Sequence, residues 1–313
     1  MSQSLLLLAP PPDFLLGPLR DRYECLSGWT AEMLEDALKD HAGSIRGIVM
    51  AGGTVVPPDL LARLSALEII AVNGVGYDGV PLPLCIERGV KVTNTPDVLT
   101  EDVADIALAL VLMTFRGLVK ANRALHADRW AEGFGTLTRA VGGKRAGIVG
   151  LGRIGKAIAR RLQACGMEVA YHGRTRQEVD LGWFDSLSAL AAWSDSLIVC
   201  CPGGPATRHL IHADILTALG TQGILINVSR GSVVNEQALI RALEQGVIAG
   251  AGLDVFENEP HVPEALRQQA NVVLLPHVGS ATRETRGAMA QLVLDNLAAH
   301  FSGRPLLTEV TPG

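Results

Sequence analysis

Apolar residues fall in short runs that alternate with stretches of helical period along nearly the whole chain. That alternation predicts parallel strands joined by crossover helices. In the first part the strand-like runs are Leu5–Ala9, Tyr23–Leu26, Gly47–Met50, Glu68–Val72 and Lys91–Thr93. A long amphipathic stretch from Glu101 to Val119 follows, with Thr100 as its expected N-cap and Glu101 and Asp102 in the first turn, where carboxylates suit the helix dipole. Beyond a looser piece holding Trp130, Gly133 and Gly135, a second series begins: Ala146–Gly150, Glu168–His172, Leu197–Cys201, Ile224–Val228, Val247–Val255 and Val272–Leu275. The last helical pattern, Arg283 to Phe301, sets Met289, Leu292, Val293 and Leu297 on one face. The two series divide near Asn94–Leu99. Periodicity does not say which of them takes the final helix.

At 313 residues the chain is long for a single core, which fits two domains. With 48% hydrophobic and 19% charged residues, its composition is that of a well-buried globular protein. A net charge of −5 gives no basic footprint, so nucleic acid is not an expected partner. Leu5 to Leu8 has the look of a secretion-signal core, but the first cation is Arg20, and the run reads as a buried first strand. No run reaches the roughly 18 apolar residues needed to span a bilayer, so no membrane is expected either. Cys25, Cys85, Cys165, Cys200 and Cys201 are scattered, odd in number and without a CxxC. They read as reduced, mostly buried thiols of a cytoplasmic protein, not as a disulfide framework, a zinc site or another metal site.

Two segments match G-x-G-x-x-G. Gly74-Val-Gly-Tyr-Asp-Gly79 continues into Val80-Pro-Leu-Pro83, where no helix opens cleanly. Gly150-Leu-Gly-Arg-Ile-Gly155 follows Arg145-Ala-Gly-Ile-Val149 and runs straight into Lys156-Ala-Ile-Ala-Arg-Arg-Leu-Gln-Ala164. The second has the strand–turn–helix context in which helix amides receive a pyrophosphate, so it is the expected dinucleotide turn. NAD readers usually place an acid at the end of the next strand, about 20 residues on. Here the chain reads Val169-Ala-Tyr-His-Gly-Arg-Thr-Arg176, with Arg174 and Arg176 where a 2′-phosphate lies. Guanidinium groups hold such a phosphate by forked, charge-assisted bonds, which points to NADPH; the competing reading is a solvated basic turn.

Three further segments follow apolar runs: Asn227-Val-Ser-Arg-Gly231, Asp254-Val-Phe-Glu-Asn-Glu-Pro260 and Pro276-His277-Val-Gly-Ser-Ala-Thr282. In an open parallel sheet, the crevice beyond the strands' carboxyl ends is where ligands bind. Arg230 offers a cation for an anionic substrate, with a structural ion pair as its alternative. A lone His277 would more often be a hydrogen-bonded core residue. A carboxylate such as Glu259 beside it changes that, because it favours the imidazolium that can release a proton.

These four segments, in this order and spacing, resemble the D-isomer-specific 2-hydroxyacid dehydrogenases, and the likeness runs through Val72-Asn-Gly-Val-Gly-Tyr-Asp78 and Asp97-Val-Leu-Thr-Glu-Asp-Val-Ala-Asp105 to cover nearly the whole chain. The resemblance implies an α/β fold of two Rossmann-like or flavodoxin-like parallel-sheet domains with a cleft between them. It assigns residues 1–98 plus 286–313 to a substrate domain and 99–285 to a dinucleotide-binding domain. It implies that Arg230 holds the carboxylate of a 2-oxo acid and polarises its carbonyl. His277 protonates the carbonyl oxygen, and Glu259 orients His277 and favours its charged form. Cofactor contacts are implied for Gly150, Gly152, Arg153, Ile154, Gly155, Thr100, Thr207, Val228, Asp254 and Gly279, beside Arg174 and Arg176. The loop Gly74, Val75, Gly76 is implied to offer backbone amides to the substrate carboxylate. Glycine there suits close backbone approach.

Within the family, the basic turn and Gly279-Ser-Ala-Thr-Arg-Glu-Thr-Arg286 resemble the glyoxylate/hydroxypyruvate reductase branch, with Arg286 as a second substrate guanidinium or simply a polar residue early in the last helix. Where the family usually has Pro-x-Thr-x-x-Thr, this chain has Pro202-Gly-Gly-Pro-Ala-Thr207, which puts a cofactor contact at Gly204 in doubt. The long phosphoglycerate dehydrogenases are not the expected match, since no regulatory domain follows Gly313. The expected activity is NADPH-dependent reduction of small 2-oxo acids, glyoxylate and hydroxypyruvate first, to 2-hydroxy acids. Two alternatives stand beside it: the same chemistry on a bulkier acid such as 2-ketogluconate or hydroxyphenylpyruvate, and a nucleotide-sensing binding protein without turnover. The resemblance also implies a homodimer, with the Ala121–Val141 segment around Trp130 as an arm.

Overall fold

The computed structural model describes residues 3–132 and 137–311; Gly133 and Gly135 lie outside the described residues. Two compact units emerge, Met1–Leu99 with Thr282–Gly313, and Thr100–Ala281. The first is a parallel sheet of β1 (Ser4–Leu7), β2 (Glu24–Ser27), β3 (Ile45–Ala51), β4 (Ile69–Asn73) and β5 (Lys91–Thr93), ordered β2-β1-β3-β4-β5. This is the flavodoxin-like order. Because side chains alternate along a strand, the continuous apolar runs feed both faces. Leu6, Ile48, Met50, Ile70 and Val72 meet Leu38, Leu60, Leu61 and Leu64 on one side. On the other, Leu5, Leu7, Val49, Ile69 and Ala71 meet Leu15 and Leu19 together with Ala290, Val293, Leu294 and Leu297. The final helix, Arg283–Phe301, is therefore part of the first unit, the point that periodicity left open. Thr282 caps it, its hydroxyl accepting the Thr285 N–H at 3.1 Å.

The second unit is a seven-stranded parallel sheet of β6 (Arg145–Val149), β7 (Glu168–His172), β8 (Gly182–Phe184), β9 (Ser196–Val199), β10 (Ile224–Asn227), β11 (Gly250–Leu253) and β12 (Val272–Leu274). Its order is β12-β11-β10-β9-β6-β7-β8, the doubly wound Rossmann order with one strand added. Chain direction across the sheet reverses between β6 and β9, and that switch point is where such a sheet opens a binding crevice. Strand β8 is a three-residue edge strand, too short to register as a periodic run. The expected Val247–Val255 strand is only β11, because residues 247 and 248 bond back to the Ala242 carbonyl. The predicted helix from Glu101 to Val119 is two helices, Thr100–Arg116 and Leu118–His126, with Gly117 at φ +56° between them. A left-handed glycine ends a helix cheaply, and an amphipathic pattern does not report it. Thr100 is the first helical residue, not the residue outside it. Among the described residues no helix is long and apolar enough to cross a membrane.

Candidate active site

At the end of β6 the chain turns through Gly150, at φ +98°. A Cβ on Gly150 would lie 2.7 Å from the Cys201 Cα, and one on Gly155 would overlap the Gly150 carbonyl oxygen. Both glycines are thus required by backbone packing at the switch point. Gly152 differs: it N-caps the helix Arg153–Ala164 without a side-chain bond, and a Cβ there would meet nothing within 4 Å. Open room at the N-cap glycine of a helix is the setting in which its N-terminus receives a pyrophosphate, so these residues fit a dinucleotide. Beneath the turn, the Cys200 thiol donates to the Gly150 carbonyl at 3.0 Å. Burial pushes the Cys200 thiol well up and the Cys201 thiol to about 11, so both are unreactive wall residues.

After β7, the Gln177 side chain donates to the Leu151 carbonyl at 2.8 Å and its N–H to the Tyr171 hydroxyl at 2.6 Å. These bonds tie the Arg174–Arg176 turn to the glycine turn. Both arginines are exposed. Arg176 lines a surface hollow of about 480 Å³ with Gln163, Glu168 and Asp180. After β9, Thr207 closes the next loop by donating to the Pro202 carbonyl at 2.7 Å. Gly204 stands at φ +126° in that loop, a conformation essentially reserved to glycine. The departure from the family's Pro-x-Thr-x-x-Thr therefore has a backbone cause.

Arg230 follows β10 in a turn organised by Asn227, which is 1% exposed. The Asn227 Oδ1 accepts the Ser229 N–H at 3.0 Å and the Ser229 hydroxyl at 2.8 Å, while its Nδ2 donates to the Arg230 carbonyl at 3.1 Å. One Arg230 Nη donates to the Ser229 carbonyl at 2.9 Å, and Arg230 is half-buried. Gly231 is pressed against the next loop, where any Cβ would overlap the Phe256 carbonyl and the Glu257 nitrogen. The turn that carries the cation is thus locked to the one that carries the acid. Glu236, buried, accepts the Glu257 N–H at 3.3 Å, and His209 Nε2 meets Glu257 at 2.6 Å. Asn227, Gly231, Glu236 and Glu257 are the supports that sequence reasoning missed. Gly231 and Asn227 stood inside the motif, but their partners are visible only in the fold.

His277 follows β12 at φ +53°, an uncommon conformation for a non-glycine residue. Its N–H donates to the Asp254 carbonyl at 2.8 Å. The Asp254 carboxylate accepts the N–H of Val278 and of Gly279, each at 2.8 Å. A Cβ on Gly279 would stand 3.0 Å from that carboxylate. Asp254 therefore clamps the histidine loop by its main chain. Burial pushes Asp254 up, against the pull of these two donors and of His277. The Glu259 carboxylate takes the Phe256 N–H at 3.0 Å with one oxygen and His277 Nδ1 at 2.7 Å with the other. Burial raises the Glu259 carboxyl, but the His277 and Phe256 hydrogen bonds and the charges of His277 and Arg230 outweigh it and hold the group below its usual value. His277 is 42% exposed and Glu259 35%. With Nδ1 committed to Glu259, Nε2 on the far side of the ring is the atom able to exchange a proton with a ligand.

Arg230, Glu259 and His277 thus lie at the carboxyl ends of β10, β11 and β12, with Val228 and Asp254 buried among the same ends. Arg153 and Ile154 open the helix of the glycine turn. Gly74, Val75, Gly76 and Arg286 belong to the first unit, the loop following β4 and Arg286 lying half-buried in the first turn of the final helix.

A sequence profile described as the D-isomer specific 2-hydroxyacid dehydrogenase NAD-binding domain matches residues 108–279. A glyoxylate/hydroxypyruvate reductase A of Arabidopsis thaliana is 46% identical over 310 residues, 99% of each chain. A hydroxyphenylpyruvate reductase of Plectranthus scutellarioides is 45% identical over 307 residues, 98% of each. The crystal structure of an NADPH-dependent glyoxylate/hydroxypyruvate reductase from Sinorhizobium meliloti, with NADP and malonate, superposes with a TM-score of 0.91 at 45% identity, over 99% of this chain and 97% of that one. The chain belongs to the D-isomer-specific 2-hydroxyacid dehydrogenases, a family of oxidoreductases with an NAD-binding domain of this fold.

Proposed function

We propose that the protein reduces small 2-oxo acids, glyoxylate and hydroxypyruvate first, to 2-hydroxy acids with NADPH. The observation that carries this reading is the 2.7 Å Glu259–His277 pair, on a loop locked to the Arg230 turn. Arg230 takes the substrate carboxylate by a forked pair of bonds and draws electron density from the adjacent carbonyl. His277 hands its Nε2 proton to the carbonyl oxygen, and Glu259 stabilises the charged ring until it does. The nicotinamide cofactor, when bound on the Gly150–Gly155 turn, supplies the hydride to the carbonyl carbon. Thr100, Thr207, Val228, Asp254 and Gly279 are assigned to its binding, and the amides of the Gly74–Gly76 loop with Arg286 to the substrate. These assignments rest on the family resemblance.

NADPH is chosen because the turn directly after β7 carries Arg174 and Arg176 where an acid usually stands, and because the Sinorhizobium meliloti relative is NADPH-dependent. The 45% identical hydroxyphenylpyruvate reductase favours a second reading, the same chemistry on a bulkier acid. Initial rates with both cofactors on glyoxylate, hydroxypyruvate and hydroxyphenylpyruvate separate these. NADPH is expected to be preferred by about tenfold or more, as one good charge-assisted contact provides, with the preference erased in Arg174→Ala. A preference for NADH removes the role given to both arginines. Leu125, Trp130 and Leu137 are exposed, Leu137 by 95%. We read this part of the Ala121–Val141 segment, of which residues 133–136 lie outside the described residues, as the face covered by a second copy. Light scattering is then expected to give twice the 33.1 kDa of the chain. The five free thiols suit a reducing cytoplasm.

A further inference from the structure

The loop after β4 is held from behind. Thr95 N–H donates to the Gly74 carbonyl at 2.9 Å, and Asn94 Nδ2 donates to the Val75 carbonyl at 2.8 Å. In a regular strand two successive carbonyls point to opposite sides; here both turn toward residues 94 and 95. The peptide bonds of this loop are trans, and in a trans peptide the N–H points opposite to the carbonyl of the same plane. Fixing the Gly74 carbonyl therefore aims the N–H of Val75 the other way, and fixing the Val75 carbonyl does the same for Gly76. Two successive amides facing one side form an anion-binding nest.

Asn94 is itself held by the C-terminal segment. Its carbonyl accepts the Thr308 hydroxyl at 2.7 Å, and its N–H donates to the Thr308 carbonyl at 3.4 Å. The Thr308 hydroxyl accepts in turn from Asn296 Nδ2 at 2.8 Å, while the Asn296 Oδ1 takes the N–H of Leu307 and of Thr308 at 3.0 and 3.2 Å. Asn296 is fully buried beside Val293, Leu294 and Leu297 on the inner face of the final helix. A buried amide with its bonds satisfied in this way specifies one geometry. The segment is further fastened by Val310 N–H to the Val92 carbonyl at 2.8 Å and by Lys91 with Glu309 at 2.7 Å.

We propose that Asn94 is a positioning residue for substrate binding, and that the C-terminal segment, through the Asn296–Thr308 relay, sets it so that the amides of Val75 and Gly76 meet the substrate carboxylate. The inference rests on the reading that this loop takes that carboxylate. Asn94→Ala frees the Val75 carbonyl and lets the second amide swing. The KM for glyoxylate and the inhibition constant of oxalate are both expected to rise, about five- to tenfold for the loss of one hydrogen bond. The KM for the cofactor and kcat stay unchanged. Thr308→Val moves the glyoxylate KM in the same direction, and Thr308→Ser, which keeps the hydroxyl, restores it. A purely structural role would instead shift both KM values together and would not discriminate serine from valine; that outcome overturns the proposal. Gly76→Pro, which removes the amide itself, separates the proposal from the reading beneath it. If Gly76→Pro raises the glyoxylate KM and Asn94→Ala does not, the loop reading stands and the positioning role is wrong. If Gly76→Pro leaves it unchanged, the loop reading falls and takes the proposal with it.

Discussion

Arg230→Ala is expected to lower kcat/KM for the oxo acid by about 10³-fold, the scale on which enzymes lose rate when a charge-stabilising donor is removed from the reacting centre. Two losses combine in that figure. The carboxylate loses its forked partner, and the carbonyl loses the positive charge that makes its carbon electrophilic. Arg230→Lys recovers little, because an ammonium is a point charge and does not present two parallel donors. Cofactor affinity, followed by nicotinamide fluorescence, is expected to stay at its original value, since the Gly150–Gly155 turn is built on β6 and the Asn227-organised turn on β10. Turnover within tenfold of the wild-type rate removes Arg230 from the chemistry. Loss of cofactor binding alongside turnover says that the substitution has collapsed the turn, and the conservative Lys variant then decides the matter.

His277→Asn is expected to lower kcat by about 10²- to 10⁴-fold, the usual contribution of a placed proton donor. Asparagine keeps a polar group at the left-handed position, which it adopts more readily than most residues, so the loop geometry is retained. Glu259→Gln removes the anion and leaves a hydrogen-bonding amide. Stability gives an independent check with a definite sign. The Glu259 carboxyl is held below its usual value, so it contributes stability above the unfolded carboxylate range and loses that contribution as pH falls through the folded value. The Tm advantage of wild type over Glu259→Gln should therefore shrink toward acid pH. An advantage that grows on acidification contradicts the pairing.

Much of this site was legible because its residues sit directly beyond apolar runs, and parallel sheets place ligands there. The Gly150–Gly155 turn differs from the Gly74–Gly79 match in the residues on its C-terminal side. Arg153–Ala164 is a helix that opens within the motif, whereas beyond Gly79 only the short helix Leu82–Glu87 forms, after Pro81. The features that escaped notice depend on distant partners. Gly231 is required by the backbone of Phe256 and Glu257, and nothing local to residue 231 says so. Asn227 is a polar residue at a strand end until its three hydrogen bonds are seen. The break at Gly117 is hidden because an apolar stripe continues across it, and β8 because three edge residues have no period to detect. The final helix shows the same limit from another side. Its apolar face is plain in the sequence, but which sheet it covers is a property of tertiary packing.

That last packing has a consequence for how the protein is made. The chain completes β1 to β5 within its first 93 residues, then spends residues 100–281 on a separate unit before the helix Arg283–Phe301 returns to cover Leu5, Leu7, Val49, Ile69 and Ala71. On a ribosome, the second unit is wholly synthesised while that face of the first sheet still lacks its cover. The first sheet is thus begun before the second unit and completed only after it, so one of its apolar faces stays uncovered until residue 301 has left the exit tunnel.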